Sequence, residues 1–537
     1  MKIRNSDILT FVLIITLIYS YPALSQQDDL KNQLLKLNQI VRTAKDKHLT
    51  DVEANVLIDA AIRGLIQKLD PHSYYFSPDE MRAINARRTG NLYGIGINYF
   101  IAQDTLTIVS VKQNGPAFKT GLQTGDKIIS INNKNTVGLH PDSIEAMLSG
   151  DIEGEVRLEV LPFNRKGISL HNIKFQKLPY YSVDASFLLD GTDIGYISIN
   201  RFMATTQIEM TDSLSLLSDM GMKKLIIDLR GNPGGILEQA YLTADEFIAD
   251  GNTILMTKGR ETIYNEIYRS SKGGKYEKIP LILLVDLETA SAPEIFAGAI
   301  QDLDRGLVIG EPTFGKGLVQ RPYEFFDGSE LWLTVAQYYT PSGRSIQKEY
   351  QNNESYGTLE DRIVLRDGLN LSHSVELLPE YGYSDNKPIY KTKSGRTVVG
   401  GGGITPDYII KNDSVGSLAK ELVAKNILQK YSVKYVRKWE TNLKLLYEKD
   451  FPGFLHNFII TDQMLCDMLN VSNASQIEGG LDEISDDKEY LKVLIKSWIA
   501  GILWDSGQMK QILIENSKHI KKAVELMPMA ERVYKGN

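Results

Sequence analysis

The chain contains very little cysteine and little histidine for its length. Its 537 residues include one cysteine, Cys466, and seven histidines. A single cysteine excludes an internal disulfide and leaves one thiol, which we expect to be buried. The histidines are scattered, and none lies in a segment that resembles a catalytic motif. The most common general base of enzymes is therefore not apparent in this sequence.

Runs of positive charge are also missing. The formal net charge is -7, with 24% charged residues. Without a polybasic run, this balance argues against a nucleic-acid partner. At this length the chain is too long for one hydrophobic core, so we expect three or more domains.

Long apolar runs are rare, and the N-terminus holds the informative one. Lys2 and Arg4 precede an apolar stretch over residues 8–19, and Ala23-Leu24-Ser25 follows it. This order predicts a secretory signal peptide over residues 1–25, cleaved before Gln26. An uncleaved membrane anchor is the alternative, but the run is short for a span. We therefore expect an exported protein, periplasmic in a bacterium.

The first candidate for chemistry is a serine at a strand-to-helix junction. Ser291 follows a continuous apolar run at 281–285, and apolar residues at helical spacing follow it. Ser291 as N-cap with Glu294 at N3 also fits a capping box. Taken alone, the serine fits a pure helix cap better than it fits a nucleophile, because serine is common at caps. The same position lies beside unpaired N-H groups, which would stabilise an oxyanion.

The second candidate is Lys316, which follows the serine by 25 residues and lies between Gly315 and Gly317. An amine can serve as the base for a hydroxyl nucleophile if burial lowers its pKa. Flanking glycines would let the main chain approach the serine closely. A solvated loop lysine is the ordinary alternative.

A phosphate-binding loop is the rival interpretation of the lysine segment. Residues 310–316 match the first seven positions of the pattern GxxxxGK[ST]. Position eight is Gly317, which has no hydroxyl for Mg²⁺, and the residues after it are typical of a strand. A P-loop-like nucleotide-binding protein therefore remains a remote alternative, and we expect no metal or nucleotide cofactor.

Several stretches in one order resemble the carboxy-terminal processing proteases, which are serine peptidases of the tail-specific type. The stretches lie at 291–295, 297–299, 301–302, 310–320 and 338–347. The resemblance implies an α/β peptidase core of the crotonase/ClpP type with a mixed sheet. It also implies Ser291 as nucleophile, Lys316 as general base and Gln320 as the side chain that orients the lysine.

A third segment ends a buried strand with Asp228 and Arg230 and then turns through Gly, Asn and Pro. An ordinary strand-to-helix turn accounts for it when it is taken alone. The family resemblance implies that the turn supplies one N-H group to an oxyanion hole, together with Ala292. Either Gly234 or Gly235 could be the donor.

A fourth region, from residue 93 to residue 160, resembles a PDZ domain. Such a domain binds an extended C-terminal peptide as an added strand, and a loop of main-chain N-H groups holds the terminal carboxylate. Gly94, Ile95, Gly96 and Ile97 match that loop. The resemblance therefore implies protein or peptide partners that are bound by their C-termini.

These observations predict a multidomain α/β chain with an inserted, mainly β PDZ domain and helical N- and C-terminal regions. The expected segments are a signal peptide at 1–25, a helical region at 26–89, a PDZ-like domain at 90–178, a peptidase core at 179–412 with a possible insertion at 351–394, and a helical C-terminal domain at 413–537. The last is expected to pack around Trp439, Trp498 and Trp504. A four-glycine run at 400–403 is typical of a flexible loop, although it could flank the active site.

The function that the sequence predicts is an exported serine endopeptidase that recognises C-terminal tails. A catalytically silent PDZ scaffold or adaptor is the alternative from another class. A homo-oligomer, an adaptor protein and membrane association are all compatible with the sequence.

Overall fold

The computed structural model describes most of the chain. The described residues are 29–88, 92–102, 105–112, 114–137, 139, 141–150, 154–163, 167–178, 181–271, 274–348, 388–410, 415–473, 477 and 479–535. The expected signal peptide at 1–25 and positions 351–387 of the expected insertion lie outside them. The chain divides into two compact units, and residues up to Met81 form the first together with Gln320–Thr334.

The first unit is built from helices and a short β-ladder. Its helices are α1 at 29–47, α2 at Ala54–Ile66 and the start of α3 at Pro78–Arg88. Strand β1 (Tyr74–Phe76) pairs antiparallel with the first part of β19 (Glu330–Tyr339). The turn before β1 is fixed by Asp70, whose Oδ1 accepts hydrogen bonds from the N-H groups of His72 and Ser73, each at 2.7 Å.

The second unit begins with the PDZ-like module. Its principal sheet has the order β3-β4-β5-β8-β9, with β6 paired to β5, and a smaller sheet has the order β10-β2-β7. The strands are β2 (Leu92–Gly94), β3 (Ile97–Ala102), β4 (Thr105–Val111), β5 (Lys127–Ile131), β6 (Lys134–Asn135), β7 (Ser149–Gly150), β8 (Glu155–Leu161), β9 (Ser169–Lys174) and β10 (Gln176–Leu178). Two helices, α4 (Pro116–Lys119) and α5 (Pro141–Leu148), complete the module.

A six-stranded mixed sheet forms the centre of the second unit. Its strands, in spatial order, are β11 (Val183–Leu188), β12 (Ile194–Ile199), β13 (Lys224–Asp228), β16 (Leu281–Val285), β17 (Leu307–Gly310) and β22 (Tyr408–Ile409). The pair β11–β12 is antiparallel, and the other pairs are parallel. Every residue of β16 is buried, which agrees with the apolar run in the sequence.

Both faces of this sheet are covered. One face packs against helices α6 (Thr206–Asp219), α7 (Leu237–Asp245) and α8 (Ala292–Asp302). The other face packs against residues near the C-terminus. A mainly parallel sheet with covered faces is the α/β arrangement that the sequence predicts.

Short strands flank the central sheet within the second unit. Strand β14 (Thr253–Gly259) pairs with β15 (Ile267–Arg269) and with the second half of β19. Strand β18 (Leu318–Glu324) begins directly after the lysine segment, and from Gln320 onward it belongs to the first unit. Strands β20 (Ile389–Lys391) and β21 (Thr397–Val399) form a hairpin.

The C-terminal region is helical, as expected from its periodicity. Its helices are α9 (Ser417–Ala424), α10 (Ile427–Tyr447), α11 (Phe451–Asn457), α12 (Asp462–Asn473), α13 (Lys488–Leu503), α14 (Ser506–Glu515) and α15 (Lys518–Lys535). Trp498 and Trp504 pack against the core of this region. The expectation for Trp439 is wrong, because its side chain is 41% exposed where α10 kinks. Cys466 is only half-buried, because it lies beside the buried face of α12.

Within the described residues, no helix combines the length and apolar character needed to cross a membrane.

The fold buries one histidine whose charge state should affect stability. His519 is 3% exposed on α15, and burial, with the nearby Arg230 and Lys518 charges, lowers its pKa from 6.5 to about 4. The folded chain therefore keeps this ring neutral at pH 5, where the unfolded chain protonates it. Stability should consequently fall as pH drops from 7.5 to 5, by up to about 2 kcal/mol from this group.

We expect His519→Gln, which keeps a donor near the Ile410 carbonyl, to reduce that loss. The measurement is the urea unfolding midpoint of both proteins at pH 5 and pH 7.5. If the urea midpoint of the variant falls between pH 7.5 and pH 5 as much as that of the wild type, His519 is not the source of the stability loss.

Candidate active site

Three of the sequence motifs meet at one edge of the central sheet. Strands β13, β16 and β17 are parallel neighbours, with Asp228 paired to Leu284 and Val285 paired to Gly310. The segments that follow parallel strands share the carboxyl edge, where α/β proteins bind ligands. These segments, 228–235, 286–291 and 310–317, are further joined by main-chain hydrogen bonds.

Those main-chain bonds lock the serine segment between the other two. The N-H of Ala290 donates to the carbonyl of Asn232 at 3.0 Å, and the N-H of Phe314 donates to the carbonyl of Thr289 at 3.0 Å. The residue just before Ser291 is thus tied to the glycine-rich turn. The lysine segment is tied to the same loop one residue earlier.

Ser291 has a strained main chain. It is the N-cap of α8, half-buried, with φ 66° and ψ -114°. A non-glycine residue in this region of φ/ψ space costs roughly 1–3 kcal/mol and persists only where the surroundings hold it. Such strain clusters at functional sites, and it is more than a helix cap requires.

Glu294 connects the serine to the lysine through its carboxylate. One oxygen, Oε2, accepts from the N-H of Ser291 at 2.7 Å and from the N-H of Lys316 at 2.9 Å. The other, Oε1, accepts from the hydroxyl of Thr313 at 2.5 Å and from the N-H of Gly315 at 2.7 Å. The residue is completely buried, and burial raises its pKa while these four hydrogen bonds oppose the rise.

Tyr338 makes a second bridge between the same two main chains. Its hydroxyl lies 3.0 Å from the carbonyl oxygen of Ser291 and 2.6 Å from that of Lys316. The side chain is 1% exposed. The N-H groups of Ser291 and Lys316 therefore share a carboxylate, and their carbonyls share a hydroxyl. The structure places the two predicted catalytic residues side by side along the main chain.

Lys316 is half-buried between two buried glycines. The carbonyl of Gly315 accepts from the N-H of Lys348 at 2.9 Å, and the N-H of Gly317 donates to the side chain of Gln347 at 2.9 Å. Gln347, which ends the 338–347 motif, and Lys348, which follows it, therefore hold the two glycines beside the lysine.

The four-glycine run packs against the lysine segment. The hydroxyl of Thr313 accepts from the N-H of Ile404 at 2.7 Å, and the N-H of Thr313 donates to the Ile404 carbonyl at 3.1 Å. A Cβ on Gly403 would lie 2.4 Å from the carbonyl oxygen of Thr313. Close main-chain approach, which a side chain would prevent, is thus the role of glycine here.

The glycine-rich turn approaches the serine closely. A Cβ on Gly234 would lie 3.0 Å from the Cβ of Ser291 and 3.5 Å from its Oγ. The N-H of Gly234 donates to Asn232 Oδ1 at 2.9 Å. In the described part of the chain, neither the N-H of Gly235 nor that of Ala292 has a hydrogen-bond partner, and both remain available as donors.

A buried ion pair supports this turn from below. Arg230 bonds to Asp228 in a bidentate manner, with its shortest contact at 2.6 Å, and the hydroxyl of Tyr196 donates to the same carboxylate at 2.7 Å. Burial would raise the pKa of Asp228, but the Arg230 guanidinium lowers it below its ordinary value. The pair is therefore charged and fixes the start of the turn.

Gln320 and the PDZ loop are not among the residues that these hydrogen bonds join to Ser291 and Lys316. Gln320 belongs to the first unit, where its side-chain amide donates to the carbonyl of His72. Its role in orienting the lysine stays a prediction. Gly94 ends β2, Ile95 is buried in the PDZ core and Ile97 begins β3. Gly96 lies between them with φ +77°.

The sequence motifs missed three residues of this site. Glu294 was identified only as a capping-box partner, although it also accepts hydrogen bonds from Thr313, Gly315 and Lys316. Tyr338 and Asn232 lie inside matched motifs without an assigned role. All three residues lie inside segments that resemble the family, and this was the only hint that the sequence offered. Their contacts join segments that are far apart in the sequence, and no helix or strand periodicity predicts such contacts.

The site shows no feature of a phosphate loop or a metal centre. The lysine segment leads into strand β18, whereas a phosphate cradle needs a helix N-terminus there. Among the residues that the structure describes, no group of three or more His, Cys, Asp or Glu side chains could hold a metal ion.

Comparison with known proteins identifies similar chains. The carboxy-terminal processing protease CtpA of Bacillus subtilis is 34% identical over 317 residues, covering 58% of this chain and 66% of the relative. A probable CtpA-like serine protease of Staphylococcus saprophyticus is 30% identical over 322 residues, covering 59% and 64%. The aligned part thus spans about two thirds of these relatives' length or slightly less. A solved photosystem II D1 C-terminal processing protease is 26% identical, with a TM-score of 0.33, covering 57% of this chain and 82% of that one.

Family models match three separate segments. Residues 193–356 match peptidase family S41, and residues 107–162 match a PDZ domain. Residues 418–505 match a family of unknown function (DUF8443). With an S41 peptidase domain and an embedded PDZ domain, the chain belongs to the carboxy-terminal processing protease family.

Proposed function

We propose that this chain is a serine endopeptidase whose nucleophile is Ser291 and whose general base is Lys316. The observation that carries the proposal is the double bridge between their main chains, through the carboxylate of Glu294 and the hydroxyl of Tyr338. These contacts hold together two residues that are 25 positions apart in the sequence. One of the two, Ser291, has a strained main chain at the N-terminus of α8. No purely structural cap needs that arrangement.

In the proposed reaction the lysine amine removes the proton from the Ser291 hydroxyl as the oxygen attacks a peptide carbonyl. The protonated amine then gives this proton to the leaving amine, and an acyl-enzyme remains. The same lysine next activates water, which releases the acyl group and restores the serine. Lysine can act this way only when its surroundings favour the neutral amine.

The oxyanion of each tetrahedral intermediate would be held by the N-H groups of Gly235 and Ala292. Of the two candidate glycines, Gly234 already donates its N-H to Asn232, which supports Gly235. Ala292 begins α8, where the helix dipole adds a partial positive charge. Two main-chain donors beside the nucleophile are what stabilisation of an oxyanion requires.

Gln320 is proposed to orient the lysine. Its bond to His72 uses the amide nitrogen, and orientation of an ammonium or amine would use the amide oxygen. The two roles are therefore chemically compatible.

Substrates are proposed to dock by their C-terminal tails. The carbonyls of Ile95 and Gly96 accept bonds from Ala117 and Lys112, each at 2.9 Å, so the loop carbonyls are already engaged. The N-H groups of the loop are the ones suited to a terminal carboxylate. Strand β3, which follows the loop, is an edge strand among the described strands and can accept an added strand.

We also propose that the chain is exported and works in the periplasm after removal of residues 1–25. The charged start, the short apolar run and the small residues before Gln26 support this proposal. N-terminal sequencing of the chain from a periplasmic fraction should begin at Gln26. A chain that retains Met1 in the cytoplasm would contradict it.

Removing either member of the dyad should abolish cleavage. We expect Ser291→Ala and Lys316→Ala each to lower kcat/KM by about 10³-fold or more, because nucleophile and base act as one unit. The measurement is cleavage of an unstructured protein substrate, with binding of a fluorescent tail peptide as the folding control. Undiminished proteolysis in either variant would overturn the dyad, and tail binding without cleavage by the wild type would favour a silent scaffold.

Glu294→Gln should lower kcat by about 100-fold, because a misplaced reacting group costs roughly that much. The amide nitrogen replaces one oxygen that accepts two donors, so two main-chain or hydroxyl donors lose their partner. KM should change little, since the proposed tail-docking loop and strand β3 lie in the PDZ-like module. Glu261→Gln, an exposed glutamate, is the matched control. Wild-type kcat in Glu294→Gln would contradict the positioning role.

Amidation of the substrate's C-terminus should weaken tail binding by roughly tenfold or more, because it removes a charge that accepts hydrogen bonds. Fluorescence anisotropy of a matched pair of peptides on the Ser291→Ala protein measures the difference. Equal affinity for both peptides would show that the Gly94–Ile97 loop does not hold a carboxylate.

A further inference from the structure

The C-terminal helical region contacts both of the domains that the proposed mechanism uses. One set of its residues lies on the central peptidase sheet. Ile514 on α14 and Ile520 and Leu526 on α15 pack against sheet residues that include Ile226 and Leu284. Lys510 on α14 also forms an ion pair with Asp184 on β11. The end of the chain is therefore anchored to the peptidase domain.

Another set of residues packs on the PDZ-like module. Val433 on α10 forms a buried cluster with Phe100 on β3 and Val109 on β4, and Trp498 and Ile502 on α13 pack against it. Phe100 and Val433 are 8% and 4% exposed. These helices belong to the segment that matches a family of unknown function.

Polar contacts surround this cluster. The side-chain amide of Asn426 donates to the carbonyl of Ile101 at 3.1 Å, and the Arg437 guanidinium donates to Gln123 Oε1 at 2.9 Å. The same guanidinium lies 5.6 Å from the centre of the Phe163 ring. Residues from three separate PDZ segments thus contact one face of α10.

The strand contacted is the one that would receive a substrate tail. One edge of β3 pairs with β4, and the other edge is open among the described strands. Ile97, Tyr99 and Ile101 pack toward the PDZ core, whereas Phe100 faces the helical region. A bound tail would therefore lengthen a sheet whose outer face is already fixed to α10 and α13.

We propose that the C-terminal helical domain is a brace that holds the tail-docking strand in a fixed position relative to the peptidase domain. It rests on the PDZ-like module through α10 and α13 and on the peptidase sheet through α14 and α15. The proposal rests on the proposed function, in which a tail docks on β3 and the same chain is cut at Ser291. Its role is to keep the docked chain in reach of the serine, since tethered domains with modest interfaces otherwise move.

The test is a brace variant that combines Asn426→Gly, Val433→Ala and Arg437→Ala. Asn426 has φ 56°, which glycine adopts without strain. Lys444→Ala on the same helix is the matched control, because Lys444 is 51% exposed and pairs only within α10 with Glu440 among its described contacts. The assay compares kcat/KM for a substrate with a free C-terminal carboxylate and for the same substrate amidated.

The preference for the free tail is the ratio of kcat/KM for the free-carboxylate substrate to kcat/KM for the amidated substrate. We expect this ratio to be at least tenfold lower in the brace variant than in the wild type. Cleavage of the amidated substrate should stay within twofold of wild type, as should tail affinity measured in a Ser291→Ala background. An unchanged preference, an equal loss with both substrates or a loss of tail affinity would each overturn the brace.

Hydrogen exchange of the full chain gives a readout that does not depend on catalysis. In the brace variant, the amides of β3 and β4 should exchange faster, while those of α14 and α15 keep wild-type protection. Unchanged exchange in β3 and β4 would overturn the brace even if the wild type cleaves nothing, so failure of this inference can be told from failure of the proposed function. If the triple variant unfolds α14 and α15, the single changes Asn426→Gly and Arg437→Ala are measured in its place.

Discussion

The site depends on one buried carboxylate with four donors. Glu294 satisfies the N-H groups of Ser291, Gly315 and Lys316 and the hydroxyl of Thr313. Burying a charge is costly unless hydrogen bonds compensate it, and here both oxygens accept two donors. The donors come from two segments that are about 20 residues apart in the sequence, at position 291 and at positions 313–316. The strained serine and the lysine loop therefore hold each other in place through this residue.

Other contacts reinforce the arrangement that Glu294 holds. The Tyr338 hydroxyl contacts the carbonyl oxygens of Ser291 and Lys316 and so joins the same two main-chain segments a second time. The glycines at 403 and 234 allow the four-glycine run and the oxyanion turn to approach without a side chain between them. A fully buried ion pair between Arg344 and Asp302, at 2.8 Å, fixes the end of α8 to the segment that follows β19. The matched motifs thus form one connected structure around the serine.

Local chemistry could be predicted from the sequence, but long-range contacts could not. The apolar run at 281–285 and the capping residues predicted the strand-to-helix junction. Each of these patterns involves residues that are close together in the sequence. The bonds from Glu294 to residues 313–316 cross 19 to 22 positions, and no period encodes them. Composition alone favoured a flexible loop for the four-glycine run, since close packing and flexibility both select glycine. Trp439 was expected to be a packing anchor of the C-terminal helical domain, but it is exposed at the kink in α10.

The central claim is that Lys316 activates Ser291. Its most direct test is covalent labelling with a fluorophosphonate, followed by mass spectrometry of the modified peptide. We expect a label on Ser291 in the wild type and loss of that label in Lys316→Arg, because an arginine cannot give up its proton in a protein. Equal labelling of Ser291 in Lys316→Arg, or labelling of a different residue in the wild type, would show that Lys316 does not activate Ser291.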